Sequence, residues 1–291
     1  MTQLAQTVLA GLATGAIYSM VALGFTIVFN ATGVTNFANG EFVMMGGLIC
    51  ATLTTTFNWP LPAAYLGAVG AVVLLAAVLD WFGIKRARRK TVLSFAMITI
   101  GFSVLYRGLM QIAIGRDILF MSEFGGLSEI RVDGVFFSSQ SQWIVLVLAA
   151  VSALLSYLFL STRLGKAMRA ASQNPRGAAL CGIDPARMAL ISFTMAGAVG
   201  ATAGALIAPI GAAFYDYGLV FGLKGFAAAV LGGFGSPLGA VLGGMLIGLA
   251  ESLSAGYLAS EYKEAISLGI LLVLLVVRPS GIMGRIQVRR V

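Results

Sequence analysis

The sequence has no histidine in 291 residues. The commonest metal ligand and the usual neutral-pH proton shuttle are therefore missing, and a His-Glu-x-x-His protease is excluded. Charge is scarce too. Only 10% of residues are charged and 59% are hydrophobic, whereas soluble domains carry about 25% charged residues. A soluble enzyme does not fit. There are two cysteines; Cys50 falls in an apolar run and Cys181 in a polar loop, which argues against a disulfide pair. No Lys or Arg precedes Lys85, so the first run lacks the basic flank of a secretory signal and is expected to be a retained span. A P-loop is also missing. Its nearest likeness, "RLGKAM" (163–168), has no hydroxyl to hold Mg²⁺. No cofactor is expected on this chain, and any ATP would have to be bound elsewhere.

What the sequence does have is apolar length. A bilayer-spanning helix needs roughly 20 mostly apolar residues. Such runs lie near 5–29, 38–57, 62–84, 92–114, 142–161, 187–210, 226–254 and 263–278. The expected fold is all-α, one polytopic transmembrane bundle over 1–291 with about eight spans.

The net charge of +8 follows from topology. Lys85, Arg86, Arg88, Arg89 and Lys90 form one basic cluster. Arg163, Lys166, Arg169, Arg176 and Arg187 form a second, and Arg278, Arg285, Arg289 and Arg290 a third. The segments 115–141, 211–224 and 255–264 instead carry most of the acids, with Lys224 among their few bases. That asymmetry matches the positive-inside rule. It places the basic segments and the C-terminus in the cytoplasm and the N-terminus outside, with no role for nucleic acid.

Parity then creates a conflict. Residues 211–222 and 255–262 should both lie outside, so the chain between them must cross an even number of times. It contains "LGGFGSPLGAVLGG" (231–244), where Gly and Pro break a helix. We read 218–233 as a half-helix entering the membrane and 237–254 as the returning segment; one plain span is the alternative. A second break, "TNFANGEF" (35–42), falls by parity near the cytoplasmic end of the first two spans. The two breaks resemble each other: Phe37 precedes Gly46-Gly47 as Phe234 precedes Gly243-Gly244. An internal repeat and coincidence in a Gly-rich chain are the competing explanations. Gly11/Gly15, Gly197/Gly200/Gly204 and Gly239/Gly243 have spacings that let helices pack closely.

Charges within spans are costly and mark candidate sites. Glu41, Glu251 and Arg107 are the three placed there. Asn36, Phe37, Asn39, Glu41 and Phe234 are the candidate translocation-path residues. Against this, Glu41 would simply be an acid favoured at a helix start. Arg107 would pair with an acid or snorkel to the interface. Tyr18, Phe214, Tyr215 and Tyr217 are aromatics near breaks, where membrane interfaces also gather such residues.

The polar segment 163–187 is too polar to span. "LGKAMRAAS" favours helix, "NPRG" interrupts it with Asn174 before Pro175 as a new helix start, and the second helix ends at Gly182. Lys166, Met168, Arg169, Ala171, Asn174, Arg176, Ala179, Leu180 and Gly182 form a candidate docking surface; a solvated basic loop is the alternative.

"GLATGAIYSMVALGFTIVFNATGVTNFANGEFVMMGG" (11–47), "GKAMRAASQNPRGAALCGIDPARM" (165–188) and "GLKGFAAAVLGGFGSPLGAVLGGMLIGLAES" (222–252) resemble, in order, signatures of the branched-chain amino-acid ABC-importer permeases of LivH type. The resemblance covers nearly the whole chain. It implies an inner-membrane subunit paired with a longer LivM-type sister permease, two cytoplasmic ATPases that hold ATP and Mg, and a periplasmic substrate-binding protein. Members carry branched-chain or other amino acids, urea, short amides or aromatic acids. They often have His where this chain has Asn39, which leaves the substrate open. An ATPase-independent secondary transporter or channel is the rival class. It would need ion or proton sites, for which this chain offers few residues. A membrane enzyme would need a catalytic constellation that the sequence lacks.

Overall fold

A computed structural model describes residues 2–87, 91–132, 135–257, 263–277 and 281–284. The Arg88–Lys90 part of the first basic cluster and the C-terminal arginines lie outside the described residues.

The described residues form α1 (Thr2–Thr32), α2 (Asn39–Thr55), α3 (Leu61–Val78) continued by a π-helical turn (Leu79–Ile84), and α4 (Val92–Ala113). A short antiparallel hairpin follows, β1 (Ile130–Val132) and β2 (Val135–Phe137). Then come α5 (Ser139–Ser161), α6 (Arg163–Gln173), α7 (Pro175–Leu180), α8 (Pro185–Gly211), α9 (Tyr217–Gly232), α10 (Pro237–Tyr257) and α11 (Lys263–Val277). Among the described residues six helices are long and apolar enough to cross a membrane: α1, α3 with its π turn, α4, α5, α8 and α10. The expectation of about eight spans is thus approximate. α2 and α9, with 17 and 16 residues, are shorter helices that begin inside the bundle.

Local chemistry sets most helix starts. Thr91, Ser138, Thr162, Asn174 and Asp184 each accept a backbone N–H of the first turn with a side-chain oxygen, and Pro175 and Pro185 occupy first positions where no N–H is needed. Ser236 does the same for α10, accepting from Gly239 at 3.1 Å. The break at 233–236 is therefore real: α9 ends at Gly232 and α10 starts at Pro237.

α1 is the central post. Its middle is buried on all sides, and it packs along α10, α8 and α9. α3, α4 and α5 lie outside with large apolar faces exposed, such as Leu66, Leu74, Leu109 and Leu154, as lipid-facing helices should be. Glycine makes the inner seams possible. A Cβ at Gly204 would strike the Val43 and Gly47 backbone, and one at Gly244 would strike Ser19. These contacts bring α8 to α2 and α10 to α1 at backbone distance.

Two ends can be named by their charge. Lys85 and the α6–α7 pair mark a basic end; Gly33, after α1, lies close to Ser172 of α6 there. The hairpin and the α1 N-terminus share the opposite end, where the Gln6 side-chain amide exchanges two 2.8 Å hydrogen bonds with the Phe136 backbone. Leu119 and Ala213 form a small bridge at that end.

Overpacking a tight seam typically costs about 1–3 kcal/mol. Gly244→Val is expected to lower the detergent melting temperature and the membrane yield, whereas Gly101→Ala, which faces open space, should change neither. Thermal unfolding of the purified variants checks this.

Candidate functional site

The sequence placed "TNFANGEF" near the basic end; the structure places it deeper. Asn39 Nδ2 donates to the Val21 carbonyl at 2.9 Å. Val21 lies eleven residues before the end of α1, about 16 Å at 1.5 Å per residue. Glu41 accepts from Ser103 at 2.8 Å, again eleven residues, or about 16 Å, into α4. Parity alone missed this because residues 33–38 run back from the basic end before any helix forms. α2 thus begins about halfway along α4.

α9 begins at the same level from the other side. After α8, residues 212–216 turn back inward; Ala212 has φ 58 at that corner. Gly218 then sits against the Glu41 carboxyl, and Gly40 against the Gly218 and Gly222 backbone. Two helix N-termini meet there, one helix running to the hairpin end and the other to the basic end.

Arg107 joins them. Its Nη2 lies 2.7 Å from Glu41 Oε1, and its Nη1 lies 3.2 Å from Asp216 Oδ1. Glu41 is 2% exposed at its side chain, Arg107 25% and Asp216 56%. The pairing alternative for Arg107 is the observed one. Glu41 is in the first turn of α2, where a carboxylate offsets the partial positive charge of the helix start.

The other path candidates divide. Asn36 and Asn39 are fully buried. Asn36 Oδ1 accepts the Ala38 N–H at 3.0 Å and shapes the turn into α2. The Asn39 amide fits over Gly24, where any Cβ would collide with it. Both asparagines build the break. Phe37 is exposed, and it meets Phe226 at 5.9 Å between ring centroids; Phe234 meets Phe226 at 5.6 Å and Phe29 at 5.1 Å. The two phenylalanines that echoed each other in sequence converge on one aromatic cluster.

A second charged site was missed. Lys224, assigned to an outer segment by its position, is buried: its Nζ lies 2.8 Å from Glu251 Oε1, and Tyr18 donates its hydroxyl to Glu251 Oε2 at 2.7 Å. This cluster ties α9, α10 and α1 together. The six-residue apolar run "GLVFGL" (218–223) directly precedes Lys224, and that run was the available signal. Asp80, in the π turn, is a further buried acid that sequence reading left out.

At the basic end, α6 and α7 form as expected, with Asn174 Oδ1 accepting from Gly177 at 3.0 Å and Gly182 at φ +81 closing the pair. One part needs correction. Met168 and Ala171 are buried against their own chain, because the apolar side of α6 faces the bundle. Lys166, Asn174, Arg176, Ala179, Leu180 and Gly182 are exposed, Arg169 partly so, and Leu180 projects at 91%. Behind the pair lies a cavity of about 600 Å³ lined by Thr32, Asp80, Lys85, Thr99, Asp184 and Phe193 among others. Among the described residues no His/Cys/Asp/Glu cluster could hold a metal.

The profile of the family described as "Branched-chain amino acid transport system / permease component" matches residues 7–275. The chain is 33% identical to the high-affinity branched-chain amino acid transport system permease protein LivH of Escherichia coli K12, covering 98% of this chain and 97% of that one. It is 30% identical to BraD of Pseudomonas aeruginosa over 98% and 97%. To the LivM permease protein of Salmonella typhimurium it is 26% identical, over 92% and 68%.

Removing one partner of a buried ion pair leaves an uncompensated charge and costs about 3–5 kcal/mol. Lys224→Met should therefore destabilise the bundle by that order, and Lys224→Met with Glu251→Gln by clearly less. Unfolding of both variants in detergent tests the pairing.

Proposed function

Since the chain belongs to the family of branched-chain amino acid transport system permease components, we propose that it is the LivH-type half of an importer that carries branched-chain amino acids. It is a multi-pass membrane permease. The work of hydrolysis lies with other subunits: two cytoplasmic ABC ATPases holding ATP and Mg, a LivM-type sister permease completing the path, and a periplasmic binding protein delivering solute. The basic end, including the C-terminus, faces the cytoplasm of a bacterial inner membrane, and the hairpin end faces the periplasm.

The observation that carries this reading is the exposed α6–α7 pair. Two short capped helices with an exposed leucine at the tip, flanked by Lys166, Arg169 and Arg176, suit a groove of apolar and acidic character on an ATPase. α6 packs on α1, and its Met168 and Ala171 are buried. Movement of the ATPases would thus pass to the central post and reorient α2 and α9 around the path, giving alternating access. Asn36 and Asn39 hold the α2 start, while Phe37, Glu41 and Phe234 lie around it.

Leu180→Asp is expected to reduce co-purification of the ATPase at least about 10-fold, as loss of a central apolar anchor does, with unchanged permease yield. Import of labelled L-leucine should fall with it. A variant that keeps both ATPase and import would contradict the docking assignment, and a chain that imports alone would contradict the importer reading.

A further inference from the structure

Asp216 poses a physical problem. It pairs with Arg107, six residues or about 9 Å before the end of α4, yet more than half of its side-chain surface is open. An acid facing hydrocarbon there is costly, and such residues face a protein interior or a water-filled cavity. The open side of the Arg107–Asp216 pair therefore marks a wet surface, bordered by Tyr215 and Tyr217 in sequence.

The two sides of Arg107 differ. Nη2 makes a short bond to buried Glu41, which fixes the guanidinium; Nη1 reaches the more exposed Asp216 at 3.2 Å. Arg107 Nε is buried with no hydrogen-bond partner among the described residues. About one helical turn away lie Val104 on α4 and Val220 on α9, both exposed.

We propose that the Arg107–Asp216 pair is a transit contact for α-amino-acid zwitterions. The solute carboxylate takes the place of Asp216 on Arg107 Nη1, and its ammonium pairs with the released Asp216 carboxylate. The aliphatic side chain lies over Val104 and Val220. This rests on the amino-acid-importer reading. The exchange replaces one internal ion pair with two external ones at unchanged total charge, so the solute is held in register yet readily released, as passage requires. Glu41 is the positioning residue, acting through Arg107.

The test uses the complete importer in proteoliposomes, with its binding protein and ATP, in a Cys181→Ser background; Cys181 is exposed and Cys50 buried. Val220→Cys is treated with a charged methanethiosulfonate, which reacts only where water reaches. Labelling is expected, slowed several-fold by L-leucine during turnover. In parallel, Asp216→Asn should cut L-leucine import at least 10-fold while subunit assembly stays near wild type, and Asp216→Glu should recover part of it. An unreactive Val220→Cys, labelling indifferent to leucine, or an Asp216→Asn importer as fast as wild type overturns the proposal. A wild-type importer that moves no amino acid at all overturns the underlying reading as well.

Discussion

A helix that begins inside a bilayer leaves its first N–H groups without partners and places about half a positive charge at its start. α2 and α9 both begin this way, back to back, with Gly40 against Gly218. Unopposed, the two ends would repel. Glu41 and Asp216 supply two negative charges and Arg107 one positive, so the sum with two half-charges is about zero. Neutrality of this kind lets two broken helices persist inside the bundle. It also leaves one member, Asp216, at an open edge.

The rest of the bundle holds these starts in place. Glycine seams set α2 on α8 and α10 on α1. The Lys224–Glu251–Tyr18 cluster pins α9 to both neighbours further along its length. α6 leans on α1 from the basic end. A push on α6 and α7 thus has a continuous packed route to the region where Arg107 sits. For a permease driven from outside the membrane, that is the mechanical requirement.

Much of this was legible in the sequence. Apolar length and basic clusters gave the helical class and the ends, because bilayer thickness and charge asymmetry act on composition directly. The break at 233–236 followed from parity plus Gly and Pro, and the α6–α7 pair from Asn174-Pro175 and Gly182. Depth was not legible. Residues 33–38 and 212–216 both fold back into the membrane, and no local pattern says how far an irregular segment travels. For the same reason Lys224 passed as an outer lysine, although Glu251, 27 residues later, is its partner. Met168 and Ala171 were on the right helix but on the face turned inward, a choice made by tertiary packing.

The central claim is that Arg107 and Glu41 act as one unit at the joined helix starts. A double-mutant cycle with Glu41→Gln and Arg107→Gln, read by unfolding of the purified permease in detergent, measures it directly. The account predicts that the double variant loses less than the sum of the single ones, with a coupling of about 1–3 kcal/mol. Losses that add to within about 0.5 kcal/mol would contradict it.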